Sequence, residues 1–108
     1  MIVQTLNLIP KSTIPVVVKC SQNDKSMRQF GFKIMNGKES WIIDCDSVEM
    51  QISNGARVTG TVENNVAIFD CDETVSGKAG EFYGKLMFQK GEQVLYSASF
   101  VLLVEVKP

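Results

Sequence analysis

The sequence predicts an all-β fold, an immunoglobulin-like antiparallel β-sandwich forming a single domain over residues 1–108. Three observations carry this reading. Apolar and polar residues alternate through most of the chain with the period of a half-buried strand. Turn-forming residues recur about every 8–12 positions, the spacing of a sandwich or barrel. The chain has 108 residues, 44% hydrophobic and 21% charged, and at this size about 65% of the unfolded surface can be buried, enough for one modest core.

The elements follow in chain order. Pro10 and Pro15 bracket Lys11-Ser12-Thr13-Ile14 and confine that stretch to a loop or sheet edge, because proline donates no ladder hydrogen bond. Phe30, Phe32 and Ile34 share one parity against Gln29, Gly31 and Lys33, which predicts a strand. Asn36-Gly37 marks a turn, and Ser40-Trp41-Ile42-Ile43 reads as a short strand after it. Val48, Met50 and Ile52 then alternate with Glu49, Gln51 and Ser53. Asn54-Gly55 tolerates the positive φ of a tight hairpin and leads to Val58 and Val62. Asn64-Asn65 turns the chain again into Val66-Ala67-Ile68-Phe69, so these three runs predict a meander. Only Asp72 to Lys78 suits a helical turn, closed by Gly77 and Gly80.

The last third contains Phe82, Leu86 and Phe88, the turn Lys90-Gly91-Glu92, and the long run from Val94 to Lys107. Helical spacing fits part of that run. The period-2 test decides against it: Val94, Tyr96, Ala98, Phe100, Leu102, Val104 and Val106 are all apolar, and Ser, Val, Phe and Tyr favour strand. One central strand is expected there.

Composition removes several function classes. The chain has no histidine, which excludes the Ser-His-Asp triad, the Cys-His pair and His-ligated zinc. Eleven Lys and Arg against twelve Asp and Glu leave a net charge of −1, without the basic surplus that phosphate neutralisation requires, so no nucleic-acid partner is expected. No apolar run reaches the ~18 residues of a membrane span, and Met1 to Asn7 lacks the pattern of a signal peptide. Synthesis in the cytoplasm is the expectation. The three cysteines, Cys20, Cys45 and Cys71, form an odd, sparse set and read as reduced, structural thiols.

Candidate chemistry is thin. Asp-Cys-Asp occurs at 44–46 and at 70–72, but in a strand the two carboxylates and the thiol point to opposite faces, so strand-end placement outweighs metal binding. A nucleophilic cysteine would need a cation beside it, and Lys19 points away from Cys20. Asp70 with Asp72 could in principle form a carboxylate pair for glycosidic chemistry, yet acids at turns usually serve solubility. Gly77-x-x-Gly80 lacks the following helix of a phosphate loop. No catalytic residue, metal ligand or cofactor is therefore assigned. Trp41 is read first as an inter-sheet packing residue and second as an interface anchor. A carbohydrate-binding or adhesin-like sandwich contacting the host cell wall is the alternative function, with an aromatic platform of Trp41 with Tyr83 or Tyr96.

The order of several short motifs resembles the phage baseplate upper protein N-terminal domain family. The opening carries Asn7-Leu8-Ile9-Pro10-Lys11, Ile14-Pro15, Ser21-Gln22-Asn23-Asp24 and Phe30-Gly31-Phe32. The ending carries Ala79-Gly80-Glu81-Phe82-Tyr83, a Gly-turned hairpin, and Ser99-Phe100-Val101-Leu102-Leu103-Val104-Glu105. The likeness spans nearly the whole chain, and residues 1–108 would form one such domain. It implies a β-sandwich of tail-tip proteins from phages and prophages of Gram-positive bacteria, a non-enzymatic virion component of the tail or baseplate. Such a domain anchors the host-recognition apparatus to the distal tail hub, while other parts carry or bind receptor-binding proteins. Family members usually continue into oligomerising helical or fibrous segments, whereas this sequence ends at Pro108, so homo-oligomer formation stays open. Pro10, Ile14, Pro15, Gln22, Asn23, Asp24 and Trp41 are the interface candidates, since prolines leave an edge that cannot pair with itself. Asn23 and Asp24 read equally well as a simple turn.

Overall fold

A computed structural model describes residues 2–9, 16–23 and 28–106. The described residues are almost entirely β, 61% strand and 4% helix, folded as two packed sheets. Strands are β1 (Val3–Asn7), β2 (Val17–Ser21), β3 (Gln29–Asn36), β4 (Glu39–Ser40), β5 (Ser47–Ile52), β6 (Arg57–Thr59), β7 (Thr61–Glu63), β8 (Val66–Asp70), β9 (Gly80–Lys90), β10 (Gln93–Tyr96) and β11 (Phe100–Glu105). A single helical turn, α1 (Glu73–Ser76), lies between β8 and β9. One sheet runs β1-β3-β8-β7 with β4 on β3, and the other runs β2-β11-β9-β5-β6 with β10 on β9.

The alternation read from the sequence sets which side chains meet. Phe30, Phe32 and Ile34 point inward from β3, as do Val48, Met50 and Ile52 from β5. Phe32, Phe69 and Phe100 meet at the centre, with ring centroids 6.0 Å apart for the first pair and 5.1 Å for Phe32 with Phe100. Leu6, Leu86 and Leu102 complete this layer, each such side chain contributing about 1.5–3 kcal/mol by leaving water. Asp72 caps α1, accepting from the amides of Thr74 and Val75 at 2.9 and 3.3 Å. That is the helical turn expected between Asp72 and Lys78.

Four expectations need correction. The sandwich is mixed rather than purely antiparallel: β1 pairs in parallel with β3, and β2 in parallel with β11. The amino-terminal stretch places one strand on each sheet, and each lies against a partner that is distant in sequence, where no hairpin dictates direction. The meander is split as well. Asn54-Gly55 does join β5 to β6 as a hairpin, with Gly55 at φ 95°. The chain then leaves that sheet at Gly60, and β7 pairs with β8 in the other layer. Gly60 permits the crossing because a Cβ there would lie 2.6 Å from the Ile68 carbonyl oxygen and 2.5 Å from the Phe69 ring.

The short strand expected at 40–43 ends at Ser40, and residues 41–45 are irregular. Their amides bond individually instead, Trp41 N–H to the Ile34 carbonyl and Ile43 N–H to the Asn65 side chain. The expected strand from Val94 to Lys107 is two strands separated by a bulge. Tyr96 pairs with Met87, but Phe100 pairs with Gly84, so three residues, 97–99, stand opposite two on β9. One extra residue reverses the parity. Val94 and Tyr96 therefore share the outer face with Gln89 and Met87, while Phe100, Leu102 and Val104 point into the core. The expectation of a central strand holds for β11, which lies between β2 and β9.

Candidate functional site

The interface residues singled out from sequence fall in separate places. Pro10, Ile14, Pro15 and Asp24 lie outside the described residues. Gln22 and Asn23 follow β2 and turn beneath α1. The Gln22 amide donates to the Glu105 carbonyl and the Asn23 amide to the Ser76 carbonyl, each at 2.8 Å, and the Gln22 side chain reaches the Gly77 carbonyl at 3.3 Å. Asn23 adopts φ 66°, a left-handed conformation that asparagine tolerates well. The backbone at this end is thus fixed by hydrogen bonds, while the Asn23 side chain is exposed.

Trp41 sits at the other end of the sandwich. Strand β9 links the two ends, from Gly80, near Gln22, to Phe88, beneath Trp41, about 26 Å of extended chain. The indole is half-buried and meets the Phe88 ring edge-on at 5.2 Å between centroids. The Trp41 carbonyl accepts from the Asn65 side chain at 3.2 Å. The ring thus packs against the margin of the core.

The Asp-Cys-Asp triplets both fall at strand ends. Asp44 pairs with Lys90, and Asp46 accepts from the Gly91 amide at 2.8 Å, so together they brace the β9–β10 turn. Asp70 accepts from the Gln29 side chain at 2.9 Å, while Asp72 caps α1. Each carboxylate thus has a structural partner. Among the described residues no group of three or more Cys, Asp and Glu is placed to hold a metal ion. All three cysteines are thiols, Cys20 and Cys71 buried and Cys45 half-buried. Burial pushes the Cys45 thiol up from its ordinary value, and the charges of Asp44 and Asp46 add to the shift. This is the opposite of the activation a nucleophile requires.

Sequence reasoning named Tyr83 and Tyr96 but not the outer face of the six-stranded sheet that carries them. Tyr83, Lys85 and Met87 project from β9, and Val101 and Leu103 from β11, with Tyr96 joining them only because the bulge turns it outward. The Lys85 ammonium lies 4.4 Å from the Tyr96 ring centroid, a cation–π contact. On the same face Glu49 meets Arg57 at 2.7 Å. Burial alone would raise the Glu49 carboxyl, but hydrogen bonds from Arg57 and Gln51 and the Arg57 charge hold it below the ordinary range. Tyr83 and Tyr96 belong to cross-strand rows separated by about 13 Å along the strands, with the Lys85 row between them. Trp41 packs on the inward-pointing Phe88 and does not join them, so the aromatic platform expected for wall contact is not assembled. The small, polar run Ser97-Ala98-Ser99 is the sequence signal for the bulge.

The fold itself has a solved counterpart. The chain is similar in fold to the N-terminal domain of phage TP901-1 ORF48. The two superpose with a TM-score of 0.67 at 14% sequence identity, covering 96% of this chain and 99% of that one. No family model and no curated protein matches the sequence. The similarity thus extends over the full sandwich, both sheets included, while most side chains differ. No helix among the described residues is long and apolar enough to cross a membrane.

Proposed function

We propose that this domain is a non-enzymatic structural component of a phage tail tip or baseplate, working through protein–protein contacts. The observation that carries the reading is the end-to-end similarity to a phage domain, at 96% and 99% coverage. The order of short motifs from Asn7-Leu8-Ile9-Pro10 to Leu102-Leu103-Val104-Glu105, which resembles that of baseplate proteins, is in keeping with it. The finer role is to anchor the host-recognition apparatus to the distal tail hub, with the receptor-binding protein as a further partner in the assembled virion.

The docking surface in this reading is the end of the sandwich that carries Gln22 and Asn23. A rigid turn suits such a role, because ordering it on binding costs little. Stable docking would bury on the order of 1,200–2,000 Å² in total. The test is titration of the full chain against the distal tail hub protein of the same phage. Micromolar or tighter binding, weakened by Asn23→Lys with the fold intact by circular dichroism, supports the role. No binding at these concentrations overturns it, and glycan-array binding lost on Tyr83→Ala would transfer the function to the wall-contact alternative.

A further inference from the structure

Strand β10 presents Val94, Leu95 and Tyr96 at 48, 42 and 44% exposure. Among the described residues no other marginal strand shows three successive apolar side chains in the open. Its backbone follows from the hairpin that forms it. Gly91-Glu92 is a two-residue loop closed by Lys90 and Gln93, so the closing pair exchanges both hydrogen bonds and the pattern alternates from there. Gln93, Leu95 and Ser97 direct their amides and carbonyls toward β9, and Val94 and Tyr96 direct theirs away. Two observed bonds agree with this assignment. The Ser97 amide donates to the Leu86 carbonyl on β9 at 2.9 Å, and the Ala98 amide donates outward, to the Asn7 carbonyl, at 2.8 Å. Asn7 covers the edge at Ala98, while among the described residues no strand covers it at Val94 and Tyr96.

Exposed edges in monomeric sheets usually carry a charge, a proline or a bulge that prevents pairing. The marginal strands β2, β6 and β7 carry Lys19, Arg57 and Glu63, and β1 presents Gln4, Thr5 and Asn7. β10 has none of these devices within its four residues. We propose that β10 pairs antiparallel with β10 of a second copy about a twofold axis at Leu95. In that register Val94 stands opposite the partner's Tyr96, and Tyr96 opposite the partner's Val94. All four outward backbone groups on each copy then face complementary groups, which gives four hydrogen bonds across the axis.

The occupant is a second copy because the edge complements itself. Its two outward-directed residues flank one central residue symmetrically, as an isologous contact requires. Gln93 to Ala98 carry no charge, so no like charges are brought together. Leu95 meets the partner's Leu95 at a non-hydrogen-bonded position, where side chains approach most closely. Lys85 holds the Tyr96 ring on the outer face, where it lies beside the partner's Val94. Four residues per copy bury well under the ~1,200 Å² of a stable interface, so the dimer is weak.

Sedimentation velocity of the full chain, from about 5 µM to about 500 µM, tests this without any tail protein, so its failure is distinct from failure of the docking role. The sedimentation coefficient is expected to rise toward that of a dimer across this range. Val94→Pro removes an outward N–H and leaves the β9 ladder untouched, and Leu95→Lys places two charges against each other at the axis. Both variants are expected to stay monomeric throughout, with the wild-type circular dichroism spectrum. Should Val94→Pro fail to fold, Leu95→Lys decides. A wild-type chain that is monomeric at every concentration, or a dimer that survives the folded variants, overturns the proposal.

Discussion

Gly84→Ala tests how tightly the two sheets are fitted. Gly84 stands directly opposite Phe100 in the β9–β11 ladder. A methyl group added there would lie 2.4 Å from Phe100 Cζ and 2.8 Å from Ile52 Cδ1, where carbon atoms prefer about 3.5–4.0 Å. The φ of Gly84 lies outside the left-handed region, so alanine suits the backbone and the penalty is steric. Phe100 cannot retreat, because its ring is 5.1 Å from that of Phe32 and both are fully buried. Overpacking of this kind costs about 1–3 kcal/mol. A shortfall above 1 Å on a caged ring places the value near 2 kcal/mol, a fall in Tm of roughly 8–16 °C for a domain this size. Urea unfolding followed by Trp41 fluorescence and by circular dichroism measures it, with coincident transitions as the check on two-state behaviour. Phe100→Leu trims the offending ring, so the double variant is expected to lose less than the two single losses combined, with a coupling of about 1 kcal/mol or more. An unchanged midpoint in Gly84→Ala, or strictly additive losses, would refute the reasoning.

Three further outcomes are expected. Ser97 Oγ accepts from the Leu86 amide and donates to the Ala98 carbonyl, both at 2.9 Å; Ser97→Ala strands a buried N–H and should cost about 1–3 kcal/mol in urea unfolding, whereas an unchanged midpoint would dismiss the hydroxyl as a structural part of the bulge. The depressed Glu49 carboxyl adds stability that is present above the ordinary carboxylate pKa and fades as pH falls through its folded value. Glu49→Gln should therefore flatten part of the acid-side loss, by no more than about 1 kcal/mol for so exposed a pair, and identical pH profiles would contradict this. The raised Cys45 thiol should alkylate more slowly than free cysteine near neutral pH, with Cys20 and Cys71 reacting only on unfolding; mass spectrometry of pulse-labelled chain reads both, and rapid labelling of Cys45 would contradict its assignment.

Much of the fold was legible because burial on one side imposes period 2 directly on the sequence. Phe30-Phe32-Ile34 and Val48-Met50-Ile52 lie inward as read, and the Asn54-Gly55 hairpin and the capped turn after Asp72 carry their own local chemistry. The bulge escaped because Val94 to Val106 keeps an unbroken apolar parity while its meaning reverses at Ser97, a polar residue buried through its hydroxyl bonds. The split of β6 from β7 escaped for a related reason. Val58 and Val62 look like one strand, and Gly60 between them was the overlooked mark. Parallel pairing of β1 and β2 leaves no local trace at all. At the candidate site, the turn at Asn23 was legible from its residue type, but the distance between Gln22 and Trp41 depends on which end of β9 each one meets.

The pairing of β2 with β11 also sets an order of events during synthesis. Val17 is made long before its ladder partner, Val101. Until then both β2 and the inner margin of β9 lack their neighbour, and the second layer stands open with Phe82 and Leu86 poorly covered. Closure of so long a loop is slow relative to local hairpins. Completion of the domain thus waits for β11, and a nascent chain stalled before Phe100 would be a sticky, half-built sheet rather than a smaller version of the same body.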